Sequence, residues 1–136
     1  MENINNKKIL ILVVEDEKVL VDVLEERLKA EGFDVTKAFN GDEGLKLALA
    51  GHPDLILLDL LMPESGGLEL LKKLRDDKWG AYANVIILTN VKSSSTIASG
   101  MALGSNNPNS TYEYMIKTDW SLDAIVARIK ERLHIK

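Results

Sequence analysis

Short aliphatic runs alternate with stretches of helical periodicity along the chain. Lys8 to Val14 is short, aliphatic and β-branched, which predicts a buried strand. From Lys18 to Glu31 the apolar residues Val19, Leu20, Val23, Leu24 and Leu28 recur at helical spacing, and Gly32 is placed to stop that helix. Phe33 to Ala38 reads as a second, weaker strand. A short helix follows from about Asp42 to Ala50, packing Leu45, Ala48 and Leu49, and Gly51 and Pro53 punctuate its end. Asp54 to Asp59 is apolar between its two aspartates, as a central strand covered on both faces must be. After Pro63 and Gly66-Gly67, a helix from about Leu68 to Asp76 buries Leu70, Leu71 and Leu74. Val85 to Thr89 is the fourth strand. A fourth helix opens at Ser93-Ser94-Ser95 and ends near Gly104. Tyr112 to Ile116 is the fifth strand. Ser121 caps the last helix, whose apolar positions are Leu122, Ile125, Val126, Ile129 and Leu133.

Strand and helix in strict alternation, with short links, predict an α/β fold: a parallel sheet with helices on both faces. Crossovers in such a sheet are right-handed. Residues 1–7 read as a flexible arm and 8–135 as one domain. The one long connection is Ser105 to Thr111, polar and rich in Asn and Ser.

Composition narrows the function classes. A chain of 136 residues is about one domain. The absence of cysteine removes disulfides, thiolate metal sites and thiol nucleophiles. No apolar run approaches the ~18 residues of a membrane span, and the polar start has no signal-peptide core. A cytoplasmic setting without membrane attachment is expected. The net charge of -4 argues against direct nucleic-acid binding. His52 and His134 are isolated histidines without ligating neighbours, and Trp79 and Trp120 call for no function.

Ligands of an open parallel sheet bind beyond the carboxyl ends of its strands. There this chain places Glu15, Asp16 and Glu17 after strand one, Asp59 at the end of strand three, Thr89 at the end of strand four and Lys117 after strand five. Carboxylates forced together repel, and a hard cation relieves that repulsion. Oxygen donors without Cys or His favour Mg²⁺. Lys117 suits a phosphate oxygen or Asp59 itself, and Thr89 can donate one hydrogen bond to an oxyanion. A strand-end aspartate in this company can act as a nucleophile towards phosphorus.

These residues resemble the response-regulator receiver domain of two-component signalling, of the chemotaxis-regulator type. The resemblance covers about residues 8–135. It rests on Leu-Val-Val-Glu-Asp-Glu at 12–17, Asp-Leu-Leu-Met-Pro at 59–63, Gly67, Leu88-Thr89 and Tyr-Met-Ile-Lys at 114–117. It implies a flavodoxin-like, doubly wound five-stranded sheet of order 2-1-3-4-5. Asp59 would accept a phosphoryl group from the phosphohistidine of a sensor histidine kinase or phosphotransfer protein. Asp16 would ligate Mg²⁺ directly and Glu15 through water, with Asp59 and the Leu61 backbone carbonyl completing the protein ligands. Thr89 and Tyr114 would act as the switch, though a strand tyrosine is as readily plain packing. The surface of the fourth helix, fifth strand and last helix would meet a downstream protein of unknown identity.

The chain departs from the family pattern at several positions. Glu15 stands where aspartate is commoner, Asn90 where a small residue is usual, and Thr118 where proline is usual. The missing proline leaves open whether the Lys117–Thr118 bond is cis. Leu61 and Val91 occupy the positions that flank the attacking water, and neither can orient it, so slow self-dephosphorylation is expected. The Ser105 to Thr111 connection is longer than usual. It is either a surface insertion or a modifier of partner recognition, and its polar composition favours the former.

Two other classes fit less well. A flavodoxin-like cofactor binder needs a phosphate cradle after strand one, where this chain puts acids. A haloacid-type phosphatase wants an acid two residues after the aspartate, where this chain has Leu61. A degenerate receiver acting as a phosphorylation-independent interaction module stays open. A receiver is a phosphoacceptor rather than a conventional enzyme. No effector domain follows within the 136 residues, so output is expected through a partner, whether the receiver stands alone or is part of a longer protein.

Overall fold

The computed structural model describes residues 8–60, 62, 66–89, 111–116 and 121–135, with Thr89 and 111–116 described by their backbone alone. Residues 1–7, expected as an arm, and Leu61, Asn90, Val91, the helix expected from Ser93, Ser105 to Ser110, Lys117 and Thr118 lie outside those residues.

The strands are β1 (Leu10–Val14), β2 (Asp34–Ala38), β3 (Leu55–Asp59), β4 (Asn84–Thr89) and β5 (Thr111–Ile116). The helices among the described residues are α1 (Lys18–Ala30), α2 (Gly41–Gly51), α3 (Gly67–Arg75), a 3-10 turn (Gly80–Tyr82) and a C-terminal helix (Leu122–Arg132). All pairings are parallel and the sheet order is β2-β1-β3-β4-β5, as expected. The first strand starts at Leu10 rather than Lys8.

The central strands are apolar on both faces because helices cover both. Leu12, Val14, Ile56, Leu58, Val85 and Ile87 join one core with Ala48 of α2 and Leu70, Leu71 and Leu74 of α3. Their neighbours Ile11, Val13, Leu55, Leu57, Ile86 and Leu88 join a second core with α1 and the C-terminal helix. The two-residue period of a strand divides one run between two cores. Burying each of these Leu, Ile or Val side chains is worth about 1.5–3 kcal/mol.

Helix ends follow local chemistry. Gly32, at φ 97°, ends α1. The Gly32 amide donates to the Lys29 carbonyl and the Phe33 amide to the Leu28 carbonyl, the Schellman pattern. Asn40 Oδ1 accepts from the Glu43 amide at 2.8 Å to open α2. Ser121 Oγ accepts from the Ala124 amide at 3.2 Å to open the C-terminal helix, as its sequence predicts.

Two expectations about helix faces need correction. On α1 the buried face is Val21, Leu24 and Leu28, while Val19 is 77% and Val23 40% exposed. The run Val-Leu-Val-Asp-Val-Leu fits two faces, and only contact with the sheet chooses between them. On α2, Leu49 is exposed and Gly44 is buried in its stead. A Cβ at Gly44 would lie 2.8 Å from Leu70 Cδ1 and 2.9 Å from both Val14 Cγ atoms, so the missing side chain is what lets α2 lie this close to β1 at that point.

Candidate functional site

Strand register brings the acids together. Val14 pairs with both Ala38 and Leu58, so one further step along β1 sets Glu15 beside Asp59. The Glu15 amide donates to the Ala38 carbonyl at 3.0 Å, carrying the β1–β2 ladder one residue past the strand. Asp59 pairs with Leu88, which puts Thr89 one step beyond it on β4. Thr89 pairs with Ile116, so Lys117 follows immediately on the chain. Tyr114 lies opposite Ile87 in β5. Four strands therefore deliver their ends to one edge.

Glu15 and Asp59 are buried, at 2% and 5% exposure, and Asp16 is exposed. One carboxylate oxygen from each lies within 4.8 Å of the others. Glu15 Oε2 accepts from the Glu17 amide at 3.1 Å. Glu17 is the N-cap residue of α1, so this bond also holds the Glu15 carboxylate at the positive end of that helix. Sequence reading treats Glu17 as one more acid of the turn, but its contribution here is a backbone donor. The available signal was the place of Glu15 just before a helix start, where backbone amides lack intrahelical acceptors.

The donor set suits a hard dication. All three side chains offer oxygen, and two are withdrawn from water, where like charges are costly unless neutralised. Mg²⁺ fits this cluster, and Glu15, Asp16 and Asp59 are the described residues that would hold it. The Leu61 carbonyl, Val91 and Lys117 fall outside the described residues, and of Thr89 and Tyr114 only the backbone is placed. No helix among the described residues is long and apolar enough to cross a membrane.

Residues 11–108 match the response regulator receiver domain family. The transcriptional regulatory protein DltR of Streptococcus agalactiae is 35% identical over 122 residues, covering 90% of this chain and 50% of that protein. The uncharacterized transcriptional regulatory protein YkoG of Bacillus subtilis is 37% identical over 123 residues, with the same coverage of 90% and 50%. The chain thus spans about half the length of these curated relatives. Among solved structures, a CheY-like response regulator receiver domain protein from Methanospirillum hungatei superposes with a TM-score of 0.82 at 25% identity, covering 94% of this chain and 95% of that one. The receiver domain of Francisella response regulator 1452 superposes with a TM-score of 0.76 at 30% identity, covering 91% and 95%. Strand order, the acidic edge and these likenesses converge on one assignment: the chain belongs to the response regulator receiver domains of two-component signalling.

Proposed function

We propose that residues 8–135 form a phosphorylatable switch in which Asp59 accepts a phosphoryl group from a histidine kinase or phosphotransfer protein. The observation that carries this reading is the approach of Glu15, Asp16 and Asp59 within 4.8 Å at the carboxyl edge of β1 and β3. A carboxylate oxygen of Asp59 attacks phosphorus. The phosphorus–nitrogen bond of the donor phosphohistidine breaks, its electron pair stays on the imidazole nitrogen, and an acyl phosphate forms on Asp59. Glu15, Asp16 and Asp59, with the Leu61 carbonyl that the family pattern adds, would hold Mg²⁺, which would supply positive charge to the phosphoryl oxygens when bound. Lys117 neutralises further charge on that group, and Thr89 donates a hydrogen bond to it.

The new charge biases a two-state element in which Thr89 and Tyr114 move together. Output passes to a protein partner across the surface of the fourth helix, β5 and the C-terminal helix. The net charge of -4 favours a protein over nucleic acid for direct contact. The reading sets the chain in the cytoplasm, as a phosphoacceptor that undergoes slow self-dephosphorylation.

Incubation with Mg²⁺ and acetyl phosphate, read by intact mass, tests the proposal. One phosphoryl group is expected on the native chain and none on Asp59→Asn. No gain on the native chain, with Mg²⁺ shown to bind, would leave a phosphorylation-independent interaction module as the better reading.

A further inference from the structure

Gly67 opens α3 against the backbone of Asp59. A Cβ at Gly67 would lie 1.9 Å from the Asp59 carbonyl oxygen, 2.7 Å from its carbonyl carbon and 2.8 Å from Leu60 Cα. All three are backbone atoms, so no change of rotamer clears them. Backbone freedom is not the reason for glycine here, because Gly32 is the glycine with positive φ among the described residues. Helix propensity alone favours alanine at this position. The contact itself therefore demands the bare backbone. The Gly67 and Leu68 amides both donate to the Leu60 carbonyl, at 3.1 and 3.3 Å, and fasten α3 to the residue after Asp59.

We infer that Gly67 is a positioning residue for Asp59, and that its missing side chain lets the Asp59 carboxylate reach Glu15 and Asp16. Those two partners ride on the end of β1 and the turn after it. A side chain at position 67 would push the Asp59 backbone while leaving β1 in place, and the three carboxylates would separate. This rests on reading the cluster as a Mg²⁺ site.

Gly80 provides a matched comparison. A Cβ there would likewise overlap a backbone carbonyl oxygen, that of Leu74, in the turn that leads into β4 at the other edge of the sheet. The native chain, Gly67→Ala and Gly80→Ala are each titrated with Mg²⁺ alone by calorimetry, with folding verified by circular dichroism. Gly67→Ala is expected to bind at least about tenfold more weakly than the native chain, and Gly80→Ala within about twofold of it. A second measurement needs no substitution. Mg²⁺ is expected to shift the Gly67 and Leu68 amide resonances of the native chain more than that of Gly80.

Native-like binding by Gly67→Ala, or an equal loss in Gly80→Ala, overturns the positioning role and leaves the metal reading standing. If Gly67→Ala does not fold, unmoved Gly67 and Leu68 resonances at saturating Mg²⁺ overturn it. A native chain that binds no Mg²⁺ overturns the metal reading together with this inference.

Discussion

His52 stacks on Trp79, with ring centroids 4.4 Å apart and planes 10° from parallel. His52 ends α2 in the left-handed region at φ 46°, and its amide donates to the Ala48 carbonyl at 2.9 Å. The stack joins that cap to the link between α3 and β4. A non-glycine residue in this conformation costs roughly 1–2 kcal/mol. An aromatic pair returns about 0.5–1.5 kcal/mol, so the two effects nearly offset.

The balance predicts an order of stabilities. His52→Ala keeps the strained backbone and loses the stack, so it is expected to be about 1 kcal/mol less stable than the native chain. His52→Gly loses the stack but also the strain, and is expected within about 0.5 kcal/mol of native. Urea denaturation at neutral pH measures both. An alanine variant as stable as the native chain would show that the stack contributes nothing.

That pair was not legible in the sequence, whereas much of the sheet was. His52 and Trp79 lie 27 residues apart in two turns, where no periodicity constrains them. β3 could be read because both faces of a central strand are buried, which leaves a continuous apolar run. The end of α1 could be read because Gly32 supplies the positive φ that a Schellman stop needs. The Val19 face of α1 could not be separated from the Val21 face, since the local pattern satisfies both. The acidic edge was legible through fold logic, once strand ends had been placed. The fit of α3 against Asp59 was not, because Gly67 reads locally as an ordinary loop residue.

Gly44→Ala is expected to destabilise the fold by about 1–3 kcal/mol, through overpacking against Val14 and Leu70. Helix propensity alone predicts a gain of about 1 kcal/mol, so the sign of the change separates the two effects. Thermal or urea unfolding gives that sign directly. A stabilised variant would mean that α2 relaxes away from β1 at little cost.

Glu31 joins α1 to the C-terminal helix. Its Oε1 accepts from Lys130 at 2.6 Å and its Oε2 from Arg27 at 3.2 Å, while Arg27 also donates to Asp123 at 2.7 Å. The Lys130 hydrogen bond, then that of Arg27, holds the Glu31 carboxyl below its ordinary value of 4.5. Glu25 is lowered likewise by Lys29 and Lys37. A carboxyl depressed in the folded state stabilises fully above its unfolded value, and the contribution is lost as pH falls through the folded value. Glu31→Gln is therefore expected to flatten the acid limb of stability against pH below that ordinary value. The change should be small and should shrink in high salt, since these groups are solvent-accessible. Unfolding midpoints across the acid range, at two salt concentrations, test it. An unchanged acid limb would assign acid sensitivity elsewhere.

If Asp59 is the phosphoacceptor, as proposed, the apolar side chains of Leu61 and Val91 predict a long-lived phosphorylated form. Neither can orient an attacking water by hydrogen bonding, so the acyl phosphate on Asp59 is expected to outlast seconds once donor is removed. Intact mass followed over time measures it. Leu61→Asn introduces a polar group and is expected to shorten the lifetime. Decay within seconds in the native chain would mean that other groups place the water.

The close approach of Glu15, Asp16 and Asp59 is expected to make the site a source of instability that a bound cation would relieve. Two of the three carboxylates are buried, and their ligand atoms lie within 4.8 Å. At the effective dielectric of such a site, removing one charge relieves repulsion on the order of 1 kcal/mol. Without divalent ions, Asp59→Asn is therefore expected to unfold at a higher temperature than the native chain. Added Mg²⁺ should reverse that order. The native chain gains about 2.7 kcal/mol when Mg²⁺ stands at about 100 times its Kd, and the variant, short of one anionic ligand, gains less. The crossing of the two curves is the diagnostic result. A variant less stable than native at every Mg²⁺ concentration would mean that hydrogen bonds to the Asp59 carboxylate outweigh the repulsion. The acid at that position would then stabilise the fold before any phosphoryl group arrives.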